Sequence, residues 1–182
     1  MLKALKKVLV CTLAAALTFG SASAAGAATQ SPTTSVEPKK QEDVKVGSLI
    51  VDTNANGTAV LGKIARTTKK SVTVASKVTV NGVSYTVTTI DAKAFANAKK
   101  ATKITLPATI KTINKNAFTG AKALKTITLK GTKAITVKKG AFKGLNTKKM
   151  TIKVSKKMSK KQLNKLKKTL KKAGFKGKVK VA

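Results

Sequence analysis

The sequence has few of the side chains on which most enzyme chemistry depends. Its 182 residues contain no histidine, no tryptophan, one cysteine and only five carboxylate side chains. No serine has a lysine three residues later, and the two carboxylates of the main domain, Asp52 and Asp91, are far apart in sequence. General acid–base chemistry, thiol catalysis and transition-metal binding therefore lose their usual residues. We expect a protein that is not an enzyme, with no catalytic residue, no metal and no cofactor.

The single cysteine lies in a predicted targeting segment. Lys3, Lys6 and Lys7 precede an apolar run from 8 to 19, and residues 22–24 (Ala-Ser-Ala) form a cleavage signal, with residues 25–27 as a second candidate. The run is shorter than the roughly 20 residues that a membrane-spanning helix needs. We therefore expect residues 1–24 to be a cleaved signal peptide and the mature chain to be secreted without disulfides. Because the chain ends at Ala182 without a wall-attachment segment, we expect any retention at the cell surface or wall to be non-covalent.

Short β-strands are predicted after a polar linker. Residues 25–45 are rich in Ser, Thr and Pro and show no apolar period, which is typical of a flexible linker. Further on, residues 54–57 and the pair Asn81-Gly82 each separate alternating apolar runs. Asn-Gly indicates a hairpin, because both turn positions need positive φ. We expect residues 46–88 to form a cap of antiparallel hairpins over the end of the next region.

That next region repeats itself with a period of 23 to 24 residues. Ala-Phe pairs occur at 94–95, 117–118 and 141–142, and a short aliphatic strand follows each pair. Such a period is typical of a solenoid, in which no repeat has a core of its own. The phenylalanines could form a ligand platform, but one aromatic per repeat at constant spacing favours a stacked ladder in the core. Along the strands, alternation predicts that Ile and Leu point inward while Thr and Lys face water.

Residues 156–182 are predicted to form a basic helix followed by a strand. Ser159 and Gln162 have the spacing of a capping box, leucines recur at helical spacing from Leu163 to Leu170, and Gly174 ends the pattern. Lysines surround the leucine stripe. Such a helix could lie on an anionic membrane, or its stripe could seal the last repeat, and we favour the seal.

The repeat resembles that of the BspA-like leucine-rich repeat family. Residues 90–95 with 102–107, and 113–118 with 126–129, fit its pattern of an Ile, an Ala-Phe pair and a strand. The family's cysteine position holds Ala98, Ala121 and Leu145. The resemblance implies an α/β, β-rich fold: a short solenoid of about three leucine-rich repeats over 89–155, with N-terminal β-hairpins and a C-terminal helix-strand cap. It also implies a secreted or surface protein that binds other macromolecules, with adhesion as the usual suggestion.

Lysines dominate the charge and are the best candidates for a binding role. Lys and Arg number 39 against 5 Asp and Glu, for a formal net charge of +34. Affinity for a polyanion would come mainly from counterion release, so it would be weakly selective and strongly salt-dependent. A single arginine and few aromatics argue against sequence-specific nucleic-acid recognition. The predicted polyanion-binding residues are Lys103, Lys111, Lys122, Lys125, Lys130, Lys160, Lys161, Lys165, Lys168 and Lys172.

Three hypotheses remain open at this point. The first is an adhesin-like binding protein, expected to be a monomer. Its ligand would be a cell-wall polymer, an acidic glycan, extracellular DNA or a host or cell-surface protein, not a small molecule. The second is a membrane-active protein that makes peripheral contact through its C-terminal helix. The third is a structural protein of the cell envelope that its charge retains in the wall.

Overall fold

The structure is a computed structural model and describes residues 37–182. The predicted signal peptide and most of the predicted linker lie outside the described residues. The elements are β1 (Gln41–Val46), β2 (Leu49–Thr53), β3 (Thr58–Ile64), β4 (Ser71–Thr73), β5 (Lys77–Val80), β6 (Val83–Ile90), β7 (Lys103–Leu106), β8 (Thr112–Ile113), β9 (Thr126–Leu129), β10 (Thr136–Val137), a 3-10 turn (Thr147–Lys149), β11 (Thr151–Val154), α1 (Lys160–Lys172) and β12 (Lys178–Val181).

Two sheets share these strands, and the chain passes from one to the other in each coil. Sheet A has the order β1-β2-β3-β6-β8-β10, with β5 also beside β6, and sheet B has the order β12-β11-β9-β7-β4. Sheet B is parallel throughout, and so are β3, β6, β8 and β10. Four coils therefore each contribute one strand to either sheet, which confirms the predicted β-rich solenoid.

The strand register aligns equivalent aliphatic residues of successive coils. In sheet B, one register position holds Val72, Ile104, Ile127, Ile152 and Val179 in turn. The three isoleucines are at most 1% exposed, and they belong to one core that also includes residues of sheet A. The inward orientation predicted for these aliphatic residues is confirmed.

The phenylalanines stack along the solenoid axis. Ring centroids of Phe95 and Phe118 are 5.1 Å apart at an interplanar angle of 4°, and those of Phe118 and Phe142 are 5.4 Å apart at 1°. All three rings are at most 4% exposed, so they form the predicted core ladder. Burying each contributes roughly 2–3 kcal/mol. A fourth ring, Phe175, extends the ladder 5.3 Å beyond Phe142 at 52°.

The N-terminal region differs in part from the predicted hairpin cap. Asn81 and Gly82 have φ of 50° and 79°, and they join β5 to β6 as an antiparallel hairpin as predicted. The prediction of an antiparallel cap is wrong for β4, which pairs in parallel with β7 and begins sheet B. The solenoid thus starts before residue 89. Alternation within 71–74 predicts a strand but cannot identify its partner, which lies about 30 residues further along the chain.

The predicted linker ends too late. β1 begins at Gln41, inside the predicted linker of 25–45, and pairs with β2. The chain is also anchored at Lys39, whose N–H donates to the Tyr85 hydroxyl at 2.8 Å and whose carbonyl accepts from Thr53 Oγ1 at 2.7 Å. Tyr85 and Thr53 lie 46 and 14 residues away in the sequence. The composition of the segment alone could therefore not reveal that it is ordered.

At the C-terminal end, α1 stands where the next coil would place a strand of sheet A, and β12 then extends sheet B. The backbone N–H of Gln162 donates to the Ser159 side chain at 3.3 Å, which confirms the N-cap. The Gln162 side chain does not complete a capping box, because its Oε1 accepts from Ala134 N–H at 2.9 Å. That bond ties the helix to the preceding coil.

Gly174 ends α1 as predicted. It has φ +91°, its N–H donates to the Lys171 carbonyl, and the N–H of Phe175 donates to the Leu170 carbonyl. This pair of bonds is a Schellman motif, which needs a left-handed residue after the helix. Among the described residues, α1 is the one α-helix, and its 13 residues are too few and too polar to cross a bilayer.

Candidate polyanion-binding surface

Positive charge is concentrated in the C-terminal part of the solenoid. Residues 92–182 contain 28 lysines and no Asp or Glu, whereas residues 37–91 contain eight basic and five acidic residues. Within residues 37–182 the one ion pair joins Lys40 Nζ to Glu42 Oε1 at 3.8 Å, and both side chains are largely exposed. No carboxylate side chain therefore neutralises a lysine of 92–182.

All ten lysines predicted to bind polyanions are exposed, but they do not form one row. Lys103 lies on the outward face of sheet B, with Lys125 just before β9 and Lys130 just after it. Lys111 precedes β8 of sheet A, and Lys122 lies in the turn between Phe118 and β9. The other five are on α1: Lys160, Lys161, Lys165, Lys168 and Lys172. The structure thus separates a group near sheet B from a group on the helix.

The lysines of α1 surround a stripe that is already buried. Leu166 and Leu170 are 0% and 2% exposed, and Ala173 is 1% exposed. Because these side chains belong to the common core, the helix seals the last coil. Its lysines are exposed, and those in the last turn, Lys171 and Lys172, also interact favourably with the helix dipole.

Sheet B carries further lysines that the sequence analysis did not select. Lys153, Lys178 and Lys180 lie on the same outward face as Lys103, since each alternates with inward aliphatic residues. Lys153 and Lys180 occupy partner positions on adjacent strands, which lie about 4.8 Å apart. Like charges in such positions repel each other, so a bound anion would stabilise them. The alternation was visible in the sequence, but only the register shows that the two are neighbours.

Threonines fill the middle of this outward face. Thr126, Thr128 and Thr151 are half-buried there, and Thr128 Oγ1 is buried without a hydrogen-bond partner. The prediction that threonines face water is wrong for Thr105, which is 8% exposed, because the segment that follows β4 lies against it, with Val74 N–H donating to the Thr105 carbonyl at 3.0 Å. Hydroxyls ringed by lysines suit phosphate, sulfate or carboxylate oxygens, which accept hydrogen bonds and carry negative charge. Within residues 37–182, no group of three His, Cys, Asp or Glu side chains could hold a metal ion.

Comparison with known proteins shows what this repeat chain is similar to. The family model described as BspA type leucine rich repeat region (6 copies) matches residues 76–180, a longer span than the predicted 89–155. A leucine-rich repeat protein from Bacteroides capillosus is 23% identical with a TM-score of 0.55, over 66% of this chain and 87% of that one. A leucine rich cell surface protein from Faecalibacterium prausnitzii is 18% identical with a TM-score of 0.53, over 79% of this chain and 44% of that one. At these identities both show the fold alone. No curated protein matches the sequence.

Proposed function

We propose that this protein, which belongs to the BspA-type leucine-rich repeat family, holds anionic polymers on the lysine-rich outside of its C-terminal coils. It does so without catalysis. The observation that carries this proposal is the absence of any acidic residue among the 28 lysines of 92–182. Leucine-rich repeat proteins are in general binding modules for macromolecular partners. The fold supplies a rigid surface, and the charge indicates what that surface attracts.

The binding energy would come from charge neutralisation. Each lysine that contacts an anionic group releases condensed counterions, so affinity falls steeply with salt. Lys103, Lys153 and Lys180 lie on one face of sheet B, where a polymer with closely spaced charges could contact several of them together. Lysine acts as a point charge without the bidentate geometry of arginine. We therefore expect selectivity for charge density, as in cell-wall polymers, acidic glycans or extracellular DNA.

The place of action follows from the same reasoning. A cleaved signal peptide at 1–24, as proposed from the sequence, would export the chain, and one structural neighbour is described as a cell surface protein. Without the three lysines of the signal peptide, the exported chain keeps 36 basic and 5 acidic residues, and this net charge of +31 would hold it on an anionic envelope. An adhesin-like role at the surface is thus the form of the proposal that these features support best.

Salt-dependent binding to immobilised heparin tests the proposal. We expect elution well above about 0.2 M salt. In a plot of log binding constant against log salt concentration, the steepness of the slope should fall by about 0.7–0.9 for each lysine–anion contact removed. Two matched variants locate the site. One replaces Lys103, Lys153, Lys178 and Lys180 by Gln, and the other replaces Lys39, Lys45, Lys63 and Lys77 by Gln. The first set should lower the slope and the second should leave it nearly unchanged. Equal effects, or elution below about 0.2 M from the start, would contradict the proposal.

A further inference from the structure

We propose that the free edge of β12 binds an extended, acidic segment of a partner protein as an additional strand of sheet B. β12 lies at the end of that sheet, and within residues 37–182 its one neighbour is β11. An edge strand presents a row of unpaired N–H and C=O groups that can pair with another chain. This inference concerns a protein ligand, and its site shares Lys178 and Lys180 with the polymer-binding surface proposed above; the experiment below separates strand addition from binding by charge alone.

The backbone groups of the free edge can be assigned from the hydrogen bonds of β12. The N–H of Lys178 donates to the Met150 carbonyl at 3.0 Å, and that of Ala182 donates to the Val154 carbonyl at 2.9 Å, both on the β11 side. Successive residues of a strand direct their backbone groups to opposite sides. The N–H and C=O groups of Val179 therefore face away from the sheet, where a new strand would meet them.

An apolar groove continues the core past this edge. A cleft of about 820 Å³ lies beside β12, and its apolar lining comes from Leu170, Phe175 and Val179. Val181 is 53% exposed, and among the described residues it is the one large hydrophobic side chain with that much exposure. The groove thus extends the inward aliphatic row of sheet B, and it would accept aliphatic side chains from an added strand.

The charge around the groove specifies an acidic partner. Lys167, Lys171 and Lys176 line the cleft together with Lys178 and Lys180 of the strand itself. On β12, lysines point outward and valines point inward, since Val179 aligns with Ile152 and Val181 with Val154. A matching strand would therefore alternate Asp or Glu, beside Lys178 and Lys180, with Val, Ile or Leu beside the valines.

The same charges disfavour a second copy of the chain as the occupant. The other end of sheet B is the edge strand β4, and Arg66 and Lys69 line a cleft beside it. Head-to-tail stacking of two copies would bring these cations against Lys178 and Lys180. Lysines on an edge strand also discourage non-specific pairing. An acidic, alternating segment is the occupant that meets both the charge and the apolar groove.

Three blocked peptides of glutamate and valine test the proposal by calorimetric titration of the full chain. The first alternates the two residues, the second has the same composition in two blocks, and the third alternates but carries N-methyl groups on its backbone. Charge alone would bind all three equally, whereas strand addition requires both the alternation and the N–H groups. We expect the first to bind at least about tenfold more tightly than the others, as loss of several hydrogen bonds implies.

Two proline variants locate the binding edge. Val179→Pro removes an N–H that the fold does not use, and proline is tolerated on edge strands in that orientation. Thr73→Pro is the matched control on β4, because Val74 N–H donates to the Thr105 carbonyl and Thr73 N–H points away from β7. Val179→Pro should lower the affinity for the alternating peptide about tenfold or more. Thr73→Pro should leave that affinity unchanged. Equal affinity for the three peptides, or a Val179→Pro variant that folds and binds unchanged, would overturn the proposal. If either proline variant fails to fold, the N-methylated peptide decides the matter on the unaltered protein.

Discussion

The two halves of the described chain share one kind of interior but differ in their surfaces. Residues 37–91 carry eight basic and five acidic side chains, whereas residues 92–182 carry 28 lysines and no carboxylate side chain. In both halves the buried hydrophobic residues belong to one continuous core of aliphatic and aromatic side chains, to which the C-terminal half adds Met150 and Met158. The solenoid therefore requires its interior pattern and does not require the charge. The proposed binding of anionic polymers would use a surplus of charge that the fold does not need and that repels itself.

The halves also close their ends differently. Sheet A is extended at the N-terminal end by β2 and β1, while α1 covers the last strand of that sheet at the other end. Sheet B is left with an edge at either end, β4 and β12. Substitutions in one half, each with a matched control, show how much its interior and its surface contribute to stability.

The largest effect is expected from the aromatic ladder. Phe118 is fully buried between two stacked rings, so Phe118→Ala should lower the free energy of unfolding by about 3–5 kcal/mol. Its counterpart in the N-terminal half is Tyr85→Phe, which removes only the hydroxyl bonded to Lys39 and should cost about 1 kcal/mol. Urea denaturation followed by circular dichroism measures both. Similar losses for the two variants would show that the ladder does not dominate the core.

Glycine turns in the two halves should differ in how much stability an alanine substitution costs, by less than the aromatic ladder does. At Gly120, with φ +97°, a Cβ would lie 2.7 Å from the Ala96 carbonyl oxygen, so Gly120→Ala combines backbone strain with a clash. We expect a loss of about 2–3 kcal/mol. Gly47 also has positive φ, but nothing lies within 4 Å of its added Cβ, and Gly47→Ala should cost only about 1 kcal/mol. Thermal melts of the pair provide the measurement, and equal shifts would contradict the predicted clash.

The hydrogen bond between Gln162 of α1 and Ala134 of the preceding coil should contribute less to stability. Gln162→Ala leaves the N–H of Ala134 without its partner, so we expect a loss of about 1 kcal/mol. Asn164→Ala is the control, since Asn164 is exposed on the same helix. Hydrogen exchange at Ala134 should accelerate in the first variant alone. Unchanged exchange there would mean that the side-chain bond does not protect the coil.

The smallest effect is a gain. Lys93 has φ +60° at the position where the next coils have Asn116 and Gly140, two residues before each Phe. Asparagine tolerates this conformation better than lysine, so Lys93→Asn should raise stability by up to about 1 kcal/mol. Lys99→Asn removes the same charge where the backbone is not left-handed and is the matched control. An equal gain in both variants would assign the effect to reduced repulsion between lysines.

Local signals in the sequence predicted the features that depend on near neighbours. The Phe95, Phe118 and Phe142 spacing predicted the ladder, Asn81-Gly82 predicted its hairpin, and Gly174 predicted the end of α1. Each needs only a period or a conformational preference that a short segment specifies. The lysine candidates were likewise visible as an excess of charge, and all ten are exposed.

Features that depend on distant partners were missed. Phe175 joins the ladder although it lies 33 residues after Phe142, outside the repeat period. Lys153 and Lys180 become neighbours only because β12 pairs with β11 after an intervening helix. β4 likewise pairs with β7 across the β5–β6 hairpin. Composition and periodicity contain no term for such pairings.

The chain by itself determined which side chains lie inside, because a repeat that cannot bury its aliphatic residues alone must stack on the next one. It also determined the excess of positive charge on the outside. Only the tertiary structure decided which lysines share a face and which strand edge stays free. Both depend on the order in which strands pair, and that order follows from packing of the whole solenoid around one core.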